Sequence, residues 1–193
     1  MLYSDSAKAQ TAPQKSVTKA GAFSLMPIYG LESFQAINEN GESSEFSSNT
    51  LGLRISLKPF SQSLPGLLLF AETFMSEGEN SADSLEKIES DTFRFGFTSY
   101  LAKFLYVGGF YGSKEIEVSS DSNPQVLSWD ATIAGIGLGL DVLTIGESFN
   151  LSIEAWKYAG FAPRKPEQDY NLGTDSADFL IGIRWSPAVT VNW

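Results

Sequence analysis

"TFRFGFTSYL", residues 92–101, alternates almost without exception. Phe93, Phe95, Phe97 and Leu101 fall on one face, and Thr92, Arg94, Gly96, Thr98 and Tyr100 on the other. A period of two is the signature of a strand with two unlike faces. A core in water draws the phenylalanines inward and leaves Arg94 outside. A barrel in a membrane reverses this, because its outer surface meets hydrocarbon and its interior is polar. The fold depends on which face is inside, and the rest of the chain supplies the context.

The same period recurs from residue 22 onward. Eight candidate strands are expected at about 22–37, 49–59, 66–76, 91–101, 104–114, 127–142, 148–159 and 177–187. In the second, Leu51, Leu53, Ile55 and Leu57 oppose Thr50, Gly52, Arg54, Ser56 and Lys58. In the seventh, Phe149, Leu151, Ile153 and Ala155 oppose Asn150, Ser152 and Glu154. In the eighth, Phe179, Ile181, Ile183 and Trp185 oppose Asp178, Gly182, Arg184 and Ser186. The segments between them alternate in length. Long polar stretches (38–48, 77–90, 115–125, 160–176) follow the odd-numbered strands, and short ones (61–66, 102–103, 144–148) follow the even-numbered. Residues 80–90 also have the composition of a short polar helix. An up-and-down barrel with long loops at one rim and tight turns at the other produces this alternation.

Within the strands the charges are few and of both signs: Arg54, Glu72, Arg94, Glu154 and Arg184. A soluble barrel shows several Lys and Glu per strand. Sparse charges among Gly, Ser and Thr suit the filled interior of a small membrane barrel. Buried charges need partners, and neighbouring strands offer Arg54 with Glu72 and Glu154 with Arg184. Such a network either fills the interior or forms a polar path through it.

Composition removes whole classes of function. The 193 residues contain neither Cys nor His, so disulfides, thiol chemistry, imidazole bases and the commonest metal ligands are absent. No catalytic site, metal site or cofactor is expected. A net charge of −10 argues against nucleic acid. No apolar run approaches the ~20 residues of a membrane-spanning helix. Residues 1–20 have no apolar segment of the signal-peptide kind and read as a flexible tail, leaving 21–193 as the barrel.

With these features together, the chain resembles the small bacterial outer-membrane β-barrels of the OmpA, OmpX and OmpW type over about residues 22–193. The resemblance rests on architecture and on the alternating, aromatic-terminated end: Phe179, Ile181, Ile183 and Trp185 in "FLIGIRW", then Trp193 in "VTVNW". It implies an all-β, eight-stranded antiparallel up-and-down transmembrane barrel in the outer membrane of a Gram-negative bacterium. The tail is then periplasmic and the long loops extracellular. It implies that the terminal residues are read by the barrel-assembly machinery, and that membrane lipid and lipopolysaccharide are partners. Gly135, Gly137 and Gly139 in "AGIGLGL" make room for bulky interior neighbours, or form a smooth face for lipid or a second protomer in a homo-oligomer. The role expected is structural or interactive: membrane integrity, surface recognition, or assembly with lipid or itself. Two alternatives are a narrow channel for small hydrophobic or ionic solutes and a soluble lipocalin-like carrier of an apolar ligand.

Overall fold

The computed structural model describes residues 16–19, 23–38, 41, 43–59, 66–80, 86–120, 123–146, 148–161, 170–173, 175–187 and 189–192. The strands are β1 (Ser16–Lys19), β2 (Phe23–Asn38), β3 (Ser43–Leu57), β4 (Leu67–Asn80), β5 (Glu86–Tyr100), β6 (Leu105–Ser120), β7 (Asn123–Ile145), β8 (Phe149–Gly160), β9 (Tyr170–Leu172), β10 (Ser176–Trp185) and β11 (Val189–Asn192). Each of β2 to β7 pairs antiparallel with the next, β8 pairs with β10, and β10 closes on β2. The result is a closed eight-stranded antiparallel barrel. Pro27 lies at a gap in the closing ladder, between the pairs Ile28–Gly182 and Leu25–Trp185, which keep one register. A residue without an N–H is tolerated there.

The outward positions carry a continuous apolar belt. On β3 it consists of Leu51, Leu53, Ile55 and Leu57, on β5 of Phe93, Phe95 and Phe97, and on β10 of Phe179, Ile181, Ile183 and Trp185, all exposed. An apolar surface of this extent, running around the barrel, is stable against hydrocarbon and not against water. It overturns the soluble lipocalin-like reading. Two strands depart from simple alternation of polar and apolar faces. In β7 a bulge between Asp141 and Leu143 turns both Val142 and Leu143 outward. In β2, Met26 and Ile28 point inward with Ser24 and Glu32, so apolar residues occupy both faces.

Several expected loops are strand. β3 begins at Ser43, β4 runs to Asn80, β5 starts at Glu86, and β6 reaches Ser120. The polar helix expected at 80–90 is therefore replaced by strand on both sides of residues 81–85, which lie outside the described residues. The physical reason is a change of sense along each strand. Above the belt, Phe46, Ile88, Ile116, Val118 and Trp129 point into the barrel, while Glu45, Glu89, Glu115 and Glu117 point out. The alternation continues with its faces exchanged, as in a barrel standing in water. The end bearing the β2–β3, β4–β5 and β6–β7 connections thus projects beyond the belt. The tail expected at 1–20 contains β1, which pairs with β11 in a separate two-stranded sheet; residues 1–15 lie outside the described residues.

The outer face of the projection is strongly acidic. Glu77 is paired with Glu89 and Glu89 with Glu117, and one outward row lower Asp91 pairs with Glu115 and Glu115 with Asp130. Directly opposed like charges destabilise a sheet by roughly 0.2–1 kcal/mol each. Glu89→Lys places a cation between Glu77 and Glu117. It is expected to raise the unfolding free energy by about 1 kcal/mol in low-salt chemical denaturation, with the gain shrinking as salt screens the surface.

Candidate functional site

The inward positions at and near belt height bring together charged groups from all eight barrel strands. Arg54 on β3 is central. Its Nε donates to Glu72 Oε2 at 2.6 Å, and its two terminal nitrogens donate to Glu154 Oε1 and Oε2 at 2.6 and 2.8 Å. This is the planar two-pronged geometry that favours Arg over Lys. Glu154 also accepts from Tyr106 Oη at 2.6 Å and from Trp156 Nε1 at 2.7 Å. Arg94 Nη1 lies 2.5 Å from Asp178 Oδ2 and 3.7 Å from Glu72 Oε1, so it links β5 to β10 and β4. Nearer the projecting end, Lys114 Nζ donates to both oxygens of Glu32 at 2.7 Å and to Ser90 Oγ at 2.8 Å, and Tyr158 Oη donates to the same carboxylate. At the opposite end, Arg184 lies 3.3 Å from Asp141 Oδ2 and donates to Tyr100 Oη, which donates in turn to Asp141 at 2.7 Å.

Aromatic rings fill the space between these groups. The Arg54 guanidinium carbon sits 4.6 Å from the centre of the Phe70 ring, and that of Arg94 sits 4.4 Å from Phe110 and 5.0 Å from Phe74. Trp156 stands edge-on to Phe110 at 5.5 Å and to Phe70 at 6.0 Å. Arg54 and Arg94 each retain 2% of their accessible surface, as does Trp156. Eight strands leave an interior that side chains can fill, and here they fill it. Above the network the inward residues are mainly apolar: Phe34 and Phe46 stack at 5.4 Å, and Ile88, Ile116, Trp129 and Leu172 belong to the same cluster, with Asn80 the buried polar residue across from Phe46.

Two sequence expectations need correction. The structure pairs Glu154 with Arg54 and Arg184 with Asp141, not Glu154 with Arg184. In the β8–β10 register Glu154 faces Leu180 and Arg184 faces Asn150, a separation of four positions. Gly135, Gly137 and Gly139 do not present a smooth outer face. A Cβ at these three positions would overlap the rings of Phe110, Trp156 and Tyr106, respectively, so the missing side chains are interior ones. The remaining expected residues are placed as follows. Arg54, Glu72, Arg94, Glu154 and Arg184 are all buried, and Arg94 lies midway along β5 because that strand begins at Glu86. Phe179, Ile181, Ile183 and Trp185 face outward on β10; the barrel ladder ends at Trp185, and Trp193 lies outside the described residues.

Sequence reasoning missed Glu32, Lys114, Asp141 and Asp178 as members of the network. Asp178 already stood on the polar face of the last strand. Lys114 continues the parity of Phe110 and Gly112, and Glu32 that of Ile28 and Gly30. Asp141 continues the parity of Gly135, Gly137 and Gly139, and the bulge of β7 comes only after it.

No family model matches the chain, and no curated protein sequence matches it. Solved structures do. The attachment invasion locus protein Ail of Yersinia pestis superposes with a TM-score of 0.58 at 13% identity, covering 86% of this chain and 100% of that one. Neisserial surface protein A gives 0.54 at 10% identity, with 88% and 99% covered. Ail in complex with sucrose octasulfate, a heparin analogue, gives 0.51 at 13% identity, with 84% and 99% covered. Matching nearly the whole of each of these barrels, and with a lipid-type belt of its own, the chain has the fold of the small eight-stranded outer-membrane β-barrels.

Proposed function

We propose that the protein is a closed barrel of a Gram-negative outer membrane whose role is structural and interactive, with β1 and β11 on the periplasmic side and the acidic projection outside the cell. The observation that carries this reading is the filled interior. At belt height the cross-section is occupied by the ion pairs of Arg54 and Arg94 and by Phe70, Phe74, Phe110 and Trp156. Opening it for a solute separates buried charges from their partners, at several kcal/mol per ion. A scaffold that stiffens the membrane and carries a rigid surface above it is the use that such an interior favours. It also speaks against the narrow channel.

The projection supports the interactive half. Its outer face holds Glu77, Glu89, Glu117, Asp91, Glu115 and Asp130 on adjacent strands. A surface of this sign suits cationic groups or divalent-bridged lipopolysaccharide and repels polyanions. The sulfated ligand of the Ail complex is therefore not carried over to this chain. Barrel assembly through the β10 residues and an absence of enzymatic activity belong to the same proposal. The protein is expected to give no stepwise conductance in planar bilayers beyond that of protein-free membranes. Regular single-channel steps from the native barrel, abolished when it is heat-unfolded, would establish the channel instead.

A further inference from the structure

On the face opposite the acidic one, the apolar belt is interrupted by a groove of about 410 Å³. Its walls are Leu138 and Leu140 of β7, Phe179 and Ile181 of β10, and Tyr29 of β2. Its floor is Ala155, the small residue of an outward row in which the neighbours directly across are Leu138 and Phe179. One outward row above, toward the projection, stands Lys157, flanked by Ile136 and Ala177. It is exposed, and its Nζ lies 2.8 Å from Asp175 Oδ1. An ion pair this exposed is screened by water and weak, so another anion readily replaces Asp175. Among the described outward residues of the projecting half, the cations are Lys87 and Lys157. Lys87 sits across from Glu79 beside the acidic rows, which leaves Lys157 as the cation placed over an apolar groove.

We infer that this groove with Lys157 is a seat for one phosphorylated glycolipid of the outer leaflet, an acyl chain lying over Ala155 and a headgroup phosphate on Lys157. Charge and depth choose the occupant. The groove is apolar and within the belt, so it takes hydrocarbon. The cation stands at the belt's edge on the projecting side, where the headgroups of the facing leaflet lie. The acidic face across the barrel holds phosphates only through a bridging divalent cation, whereas Lys157 on β8 takes one directly. The inference rests on the proposed outer-membrane orientation and adds a particular site and lipid to it.

The test uses the full chain folded in dodecyl maltoside, with the heat-induced gel shift confirming each barrel. Native mass spectrometry then counts lipid retained on titration with diphosphoryl lipid A, and in parallel with phosphatidic acid. The native chain is expected to retain one lipid A in preference to phosphatidic acid. Ala155→Trp fills the groove and Lys157→Glu removes the phosphate partner. Each is expected to weaken retention at least tenfold with the gel shift unchanged. Four outcomes overturn the inference: no lipid A retained by a folded native barrel, a folded Ala155→Trp or Lys157→Glu chain that retains it undiminished, phosphatidic acid held as tightly, or a dimer of the native chain that Ala155→Trp dissolves. A chain that shows no heat-dependent shift in detergent fails the barrel reading itself, which is a separate result.

Discussion

Arg54→Met is expected to lower the unfolding free energy by about 3–5 kcal/mol. The substitution keeps much of the side chain's length and removes its charge. Glu72 and Glu154 are then left in the interior without the cation that both of them bond. Glu154 keeps Tyr106 and Trp156 as donors, but Glu72 keeps only Arg94, at 3.7 Å. Most of the cost is therefore the uncompensated burial of Glu72. Adding Glu72→Gln to Arg54→Met is expected to recover part of the loss, because a neutral amide does not need the cation. Arg54→Lys is expected to fall between the native chain and Arg54→Met, since a point charge cannot reproduce the two-pronged contact with Glu154. Urea unfolding of the barrel in phospholipid vesicles, followed by tryptophan fluorescence, measures all four chains. A loss below about 1 kcal/mol for Arg54→Met, the range of exposed ion pairs, would show that the network does not hold the barrel together.

Gly137→Leu is expected to be nearly as damaging, by about 3 kcal/mol, the upper end of the usual range for overpacking. The first added carbon overlaps the Trp156 ring and meets the Ala155 carbonyl oxygen at 2.7 Å. A ring can turn aside, whereas the backbone of a paired strand cannot without breaking its ladder. The overlap with Trp156 is tested by adding Trp156→Ala, which opens the space that the introduced side chain needs. The double variant is expected to be more stable than the sum of the single losses by at least about 1 kcal/mol, the scale of coupling between residues in contact. The same vesicle unfolding assay reads this out. A Gly137→Leu barrel as stable as the native one would place that position on the outside, where a lipid chain or a second protomer would meet it.

How much of this was legible in the sequence varies along each strand. For "TFRFGFTSYL" the two faces were plain, and the spread of sparse charges chose the inside correctly: Arg94 is buried and Phe93, Phe95 and Phe97 are exposed. The projecting half was equally legible in principle. Glu115, Ile116, Glu117 and Val118 alternate as cleanly as any belt residues, yet their charge gave them the look of a loop. The period carries over while the meaning of each face exchanges at the edge of the hydrocarbon. A pattern of polar and apolar residues does not say which solvent surrounds it.

The interior network was legible residue by residue and not pair by pair. Arg54 and Glu72 are opposite one another on a hairpin, and local register was enough to join them. Glu154 lies a hundred positions from Arg54 and bonds to it across the barrel. Asp141 stands on the inward parity of β7, but its partners Tyr100 and Arg184 lie 41 and 43 positions away on β5 and β10. The glycines show the same limit, for it is the rings of other positions, Phe110, Trp156 and Tyr106, that require Gly135, Gly137 and Gly139. By itself the sequence determined the strand period, the two unlike faces and the antiparallel order, because these follow from neighbours in the chain. The tertiary structure decided where the belt ends, which charges meet and which small residues are needed. Each of these depends on the closing of β10 against β2, which brings distant strands around one crowded axis.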